Sequence, residues 1–255
     1  SPPRVTAAAK LLPELRCILG FAMDLTTVDE NGRAWNFDDA GQRKHARELL
    51  EAQRPMLLIG SPMCTAFSAW QHINKLFRDP DVVSREFVRA MVHIRFTMEL
   101  YKMQMEAGRY FLHEHPASAS SWAQDEVKRV ARMPGVETVV GDQCVYDASD
   151  KHGNPIKKPT RSMTNSVHIG RALNRRCSGR LGMCSRRKGG AHALCSGETA
   201  KAAAIYPFAL CRAILTGFRD QMIADGRLEP GAVGLNCVML DQGCASTLRE
   251  SETYW

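Results

Sequence analysis

Met56-Leu57-Leu58-Ile59-Gly60-Ser61-Pro62-Met63-Cys64-Thr65-Ala66-Phe67-Ser68 is the stretch from which the rest of this chain is best read. Its apolar run, bounded by glycine and proline, has the character of a buried strand in a parallel sheet. Proline locks its own φ and restricts its predecessor, so Ser61-Pro62 sets a tight turn. Cys64 is therefore expected just past the carboxyl end of a central strand, where open α/β sheets place their chemistry.

Working outward, residues 6–19 have helical character, and Phe21 to Leu25 reads as a strand with Asp24 near its end. Asp38 or Asp39 then caps a helix running to about Gln53, which Pro55 ends. Downstream, Phe87, Met91, Ile94, Met98 and Tyr101 recur at helical spacing across residues 84–107, and Gly108 stops that helix. Tyr110 to Glu114 reads as the next strand, followed by a helix around 121–132 and a strand over 136–140. Residues 200–225 read as a closing helix, and the last thirty residues show no clear pattern. Strand and helix alternate, which predicts an α/β fold: a doubly wound, mostly parallel sheet with helices on both faces. The expected organisation is a core over 1–170, a small basic, irregular insertion over 171–199, the closing helix over 200–225 and an extension or linker over 226–255.

The chain has 255 residues, 44% of them hydrophobic, enough for a sizeable core. No run approaches the ~18 apolar residues of a membrane span, so no membrane partner is expected. Nine cysteines without a regular framework fit a reducing, intracellular setting, nuclear in a eukaryote, with thiols free or on metal. The chain opens on Ser1 and reads as a piece of a longer polypeptide whose other domains would be partners. Its net charge of +7 is unevenly placed: between Lys151 and Gly197 there are eleven Lys and Arg and no Asp or Glu. Such a block reads as a nucleic-acid surface, with Lys157, Lys158, Arg175, Arg176, Arg186, Arg187 and Lys188 as phosphate contacts.

The same block holds Cys177, Cys184, His192 and Cys195 in a segment too small and polar to pack a core. Three Cys and one His make a full tetrahedral set for structural zinc. His168, His152 and Cys144 are alternative ligands.

Two strands end in reactive groups, Cys64 and Glu114, and successive strand ends can lie side by side. A thiolate beside a carboxyl group suits covalent attack on an electron-poor ring. Arg161 is the cation best placed to join them.

These motifs carry a resemblance. Gly60-Ser61-Pro62-Met63-Cys64-Thr65-Ala66-Phe67-Ser68 resembles the Pro-Cys loop of cytosine-5 DNA methyltransferases, Phe111 to Pro116 is similar to their Glu-Asn-Val motif, and Thr160-Arg161 lies where they carry an Arg-bearing strand. The similarity is to the divergent members found in phage genes and retroelement polyproteins. The resemblance implies a Rossmann-like class I methyltransferase fold, a transferase using S-adenosyl-L-methionine, and DNA-binding with a flipped cytosine as target. Cys64 would attack the ring, Glu114 would engage its nitrogen, and Arg161 would hold the base or the Glu. It implies cofactor contacts from Ser1, Pro2, Asp24, Leu25, Asn36, Phe37, Asp38, Ser61 and Pro62.

A second reading is a catalytically degenerate nucleic-acid-binding module of a mobile-element polyprotein, favoured by the missing glycine-rich cofactor loop. A third is a Cys-dependent hydrolase pairing Cys64 with His113 or His115.

Overall fold

A computed structural model describes residues 4–15, 17–24, 26–68, 77–187, 189–229 and 235–241. Six strands form one sheet: β1 (Cys17–Ala22), β2 (Leu57–Ser61), β3 (Tyr110–Pro116), β4 (Glu137–Asp142), β5 (Pro159–Thr164) and β6 (Leu235–Asp241), in the order β1-β6-β2-β3-β5-β4. Helices α1 (Arg4–Lys10), α5 (Val167–Leu173) and α7 (Phe208–Ala224) pack on one face. Helices α2 (Ala40–Gln53), α3 (Pro80–Glu106) and α4 (Asp125–Ala131) pack on the other. A short α6 (Gly197–Ala202) precedes α7.

The alternation of strand side chains explains the two cores. Leu57, Ile59 and Leu112 enter the α1/α5/α7 layer, whereas Leu58, Phe111 and Met163 enter the α2/α3/α4 layer. Helix α2 starts at Asp39, whose side chain accepts the Gln42 N–H at 2.7 Å, and α3 at Asp79 with Pro80 in its first turn.

The sheet corrects the expectation of a mostly parallel, doubly wound, Rossmann-like fold. Its β2-β3-β5-β4 block is mixed and mostly antiparallel, because β5 lies between β3 and β4 and runs against both. The physical reason is the connection after β4. A 3-10 turn (Gln143–Tyr146) and an irregular loop lead directly into β5, with no helix to carry the chain across the sheet. A return without a crossover gives an antiparallel neighbour. Strands β6 and β1 extend the block beyond β2 with parallel pairs.

Three smaller differences follow from local chemistry. Pro207 splits the expected closing helix into α6 and α7, since a proline inside a helix removes a backbone hydrogen bond. Within the stretch expected to be a linker, Leu235–Asp241 is a strand, inserted between β1 and β2. The first strand begins at Cys17, inside the segment expected to be helical. Among the described residues no helix is long and apolar enough to cross a membrane.

Gly60 is required where β2 passes over α3. A Cβ there would lie 2.1 Å from the Tyr101 hydroxyl, which donates to the Gly60 carbonyl at 3.1 Å. Tyr101 is fully buried and cannot yield. Gly60→Ala is expected to destabilise the domain by about 1–3 kcal/mol, read as a lower urea midpoint.

Candidate metal centre and basic surface

The carboxyl ends of β2 and β3 do lie together, as parallel neighbours with Gly60 opposite His113. Ser61 Oγ donates to Glu114 Oε2 at 3.0 Å, and the Tyr206 hydroxyl donates to the same oxygen at 2.9 Å. Tyr206 stands in the break between α6 and α7, so that break delivers a hydroxyl to the sheet. Glu114 is buried, and its Oε1 has no hydrogen-bond partner among the described residues. Cys64 follows in the turn, half-buried, at the start of the 3-10 turn Thr65–Phe67.

Arg161 does not join this group. It pairs opposite His115, one position away from the Glu114–Ser162 pair. Neighbouring positions on a strand face opposite ways, so Arg161 and Glu114 project from opposite sides of the sheet. The Arg161 guanidinium lies 5.0 Å from the Trp122 ring, among His113 and His115. Both histidines are buried, and burial pushes their pKa values down. His115 Nε2 lies 2.6 Å from the Pro62 carbonyl and Nδ1 2.7 Å from Ser121 Oγ, so its ring ties the β2 loop to the end of β3. Glu114 and Arg161 therefore do not converge on one face of the sheet.

The residues expected to bind S-adenosylmethionine have structural occupations instead. Asp24 Oδ1 accepts the Thr26 N–H at 2.7 Å and hydroxyl at 2.6 Å, closing the turn after β1. Phe37 is fully buried, its ring 5.6 Å from Trp35 and 5.3 Å from Phe96. Asp38 pairs with Arg89 at 2.5 Å and contacts His93 at 2.9 Å. The Asn36 side chain accepts the Asp38 N–H at 3.1 Å. Ser61 is held by Glu114, and the Pro62 carbonyl by His115. Ser1, Pro2 and Leu25 lie outside the described residues. The expectation of a methyltransferase acting through S-adenosylmethionine is corrected on these grounds and on the sheet topology.

A different constellation is assembled from residues that follow β4. One donor atom each from Cys144, Cys177, Cys184 and His192 lies within 4.8 Å of the others. Cys177 Sγ is 3.9 Å from Cys184 Sγ and 3.5 Å from His192 Nε2. Tetrahedral zinc, with Zn–S about 2.3 Å and Zn–N about 2.0–2.1 Å, sets S···S near 3.8 Å and S···N near 3.6 Å. These two distances fit that ion, and the remaining donor pairs lie within 4.8 Å.

Each ligand has a local reason to be there. Cys144 lies in the 3-10 turn that follows β4. Asp142, fully buried at the end of β4, accepts the Cys177 N–H at 2.8 Å and Arg176 Nε at 3.0 Å. This pins the chain leaving α5 beside Cys144. Cys184 and His192 face each other across a hairpin, with Cys184 N–H donating to the Gly190 carbonyl at 2.8 Å and His192 N–H to the Gly182 carbonyl at 2.7 Å. Gly179 makes the fold-back tight: a Cβ there would sit 1.9 Å from the Met183 carbonyl oxygen.

The electrostatics favour thiolate at one ligand. Burial opposes ionisation of Cys177, but hydrogen bonds from the Ser185 hydroxyl and from the Ser185 and Gly179 backbone outweigh it and hold the thiol at about 6. Burial, and then the neighbouring Cys184, push Cys144 the other way. A divalent cation at the centre would remove that conflict by binding both as thiolates.

Three of the four ligands expected from sequence come together; the fourth position is taken by Cys144. Cys195 instead packs against a small apolar cluster of Ala148, Ile156 and Ala203, and burial raises its pKa. Nothing in the local spacing points to Cys144, because β5 and α5 separate it from Cys177.

The basic surface around this cluster is selective about which cations face out. Arg175 is exposed, with its guanidinium 5.3 Å from the Tyr146 ring, and Arg187 is exposed. Arg176 is committed to Asp142, and Lys158 Nζ donates to the Ala203 carbonyl at 3.0 Å. Arg186 braces the insertion, donating to Ser149 Oγ and the Gly153 carbonyl, each at 2.9 Å. Lys157 is half-buried, and Lys188 lies outside the described residues. Arg180, exposed in the turn between Cys177 and Cys184, is a further outward cation outside the set expected from sequence.

Fold and site together define a mixed α/β domain in which a basic insertion supplies three ligands of a Cys3His cluster. Comparisons with protein-family models, with curated proteins and with solved structures found no match for the chain, so the resemblance to cytosine-5 methyltransferases gains no support from them.

Proposed function

We propose that this domain is a nucleic-acid-binding module whose basic insertion is held in shape by a structural metal ion, zinc being the ion the donor set suits. The observation that carries the reading is the Cys144, Cys177, Cys184 and His192 cluster, three of whose ligands belong to the Lys151–Gly197 segment, which has no acidic residue. All four donors are protein groups, as in structural rather than catalytic zinc sites. The metal would fix where Arg175, Arg180 and Arg187 point, and these carry no ion pair among the described residues. Lysine and arginine on phosphates release counterions, so binding should fall steeply with salt.

The test is fluorescence anisotropy of zinc-loaded protein on labelled DNA across a salt series. Substituting alanine at Arg175, Arg180 and Arg187 together should flatten the log K against log salt slope by about 2.7 and weaken binding evenly across sequences. Binding that is absent, or that ignores salt and these substitutions, would rule the reading out.

A further inference from the structure

The turn between Cys177 and Cys184 presents a feature that phosphate binding does not account for. The Met183 N–H donates to the Arg180 carbonyl at 2.9 Å, and the two central residues, Leu181 and Gly182, have φ of 51° and 80°. Those signs and that bond are those of a type I′ turn, whose first central position favours Asn, Asp or Gly. Here it holds leucine, a side chain that resists the left-handed region. Leu181 is also fully exposed, and Met183 beside it is half-exposed. Turn chemistry argues against this residue, and no packing compensates. Strain of this kind persists where the surroundings enforce it, and it clusters at functional positions. The antiparallel Met183–Ala191 bridge and the His192 N–H bond to the Gly182 carbonyl, at 2.7 Å, supply that enforcement.

We infer that Leu181, with Met183, is an apolar wedge that enters the base stack of duplex DNA from the groove while Arg180 and Arg187 hold the flanking phosphates. The inference rests on the nucleic-acid reading given above. Charge complementarity selects the partner, since no acidic residue occurs from Lys151 to Gly197. The chemistry of the tip selects the form of the partner. Proteins that kink duplexes insert Leu, Ile, Met or Phe between base steps. Single-strand binders stack bases on aromatic rings, and no Phe, Tyr or Trp occurs between Lys151 and Ile205.

The experiment uses the full chain loaded with zinc and a DNA duplex carrying a fluorescent aminopurine, whose emission rises on unstacking. Wild-type protein should raise the emission several-fold at saturation. Leu181→Asn suits the turn better than leucine, so this variant should fold and bind zinc normally. It should keep the salt slope of binding, lose the rise in emission, and bind several-fold more weakly. Salt-dependent duplex binding with unchanged emission in the wild type, or an equal rise in Leu181→Asn, would overturn the wedge while leaving the binding module standing. Preference for the same strand unpaired would also overturn it. Absence of any salt-dependent binding would remove both readings.

Discussion

Cys144→Ser should abolish stoichiometric zinc binding, whereas Cys195→Ser should leave it intact. Position in sequence suggests the opposite, since Cys195 lies close to His192 and Cys144 lies before β5. The geometry decides the matter: Cys144 shares the cluster, and Cys195 packs with Ala148, Ile156 and Ala203. Residues that merely orient a metal ligand are worth about 10–100-fold in affinity. Loss of a direct thiolate should therefore cost more than about 100-fold, read by competition with a chromogenic chelator. Serine is close in volume to cysteine, so the buried turn after β4 should survive the change. Thermal unfolding of the zinc-free variants would verify this, because both should match zinc-free wild type.

Chelation of the wild-type protein should open the insertion and leave the rest of the domain folded. The two large cores draw on the sheet and on α1 to α5 and α7. Among the described residues the insertion contributes only Ala193 and Cys195 to a small apolar cluster, packed against Ala148, Ile156 and Ala203. So few small side chains cannot outweigh the chain entropy of ordering the segment. Metal binding would therefore supply its folding free energy, which in isolated zinc fingers reaches about 10–16 kcal/mol. At free zinc 100 times its Kd the linkage is about 2.7 kcal/mol, so removal should raise the open population about 100-fold. Trypsin cleavage at Arg180, Arg186 and Arg187 would report it, accelerating on chelation and reverting when zinc is restored. Unchanged cleavage would mean that the hairpin stands without metal.

The parts of this fold that were legible in the sequence are those whose physics is local. Strand β2 shows its buried character as an unbroken apolar run, and α3 shows its inner face through Phe87 to Tyr101 at helical spacing. Asp39 capping α2 is likewise local chemistry. Strand direction is not local. The pattern of β5 is the same read either way, so its antiparallel course, which changes the sheet from parallel to mixed, could be found only from its neighbours. Strand β6 is hard to read from sequence, because Asn236 interrupts a short apolar run set among glycines.

The candidate site divides along the same line. Cys177, Cys184 and His192 share one short segment and could be grouped by spacing; Cys144 could only be one alternative among several. The pairing of Glu114 with Ser61 follows from two adjacent parallel strands, but Tyr206 reaches Glu114 from a helix break that Pro207 causes. The expected partnership of Glu114 with Arg161 failed for a reason of parity. Arg161 falls opposite His115, and a shift of one residue on a strand exchanges the faces of the sheet.

X-ray absorption at the zinc edge of the purified, zinc-loaded chain reads the ligand set of the metal centre. It should show one zinc per chain with three sulfur ligands at about 2.3 Å and one imidazole nitrogen at about 2.0–2.1 Å. Substoichiometric zinc, or a shell of nitrogen and oxygen ligands without three sulfurs, would contradict that ligand set.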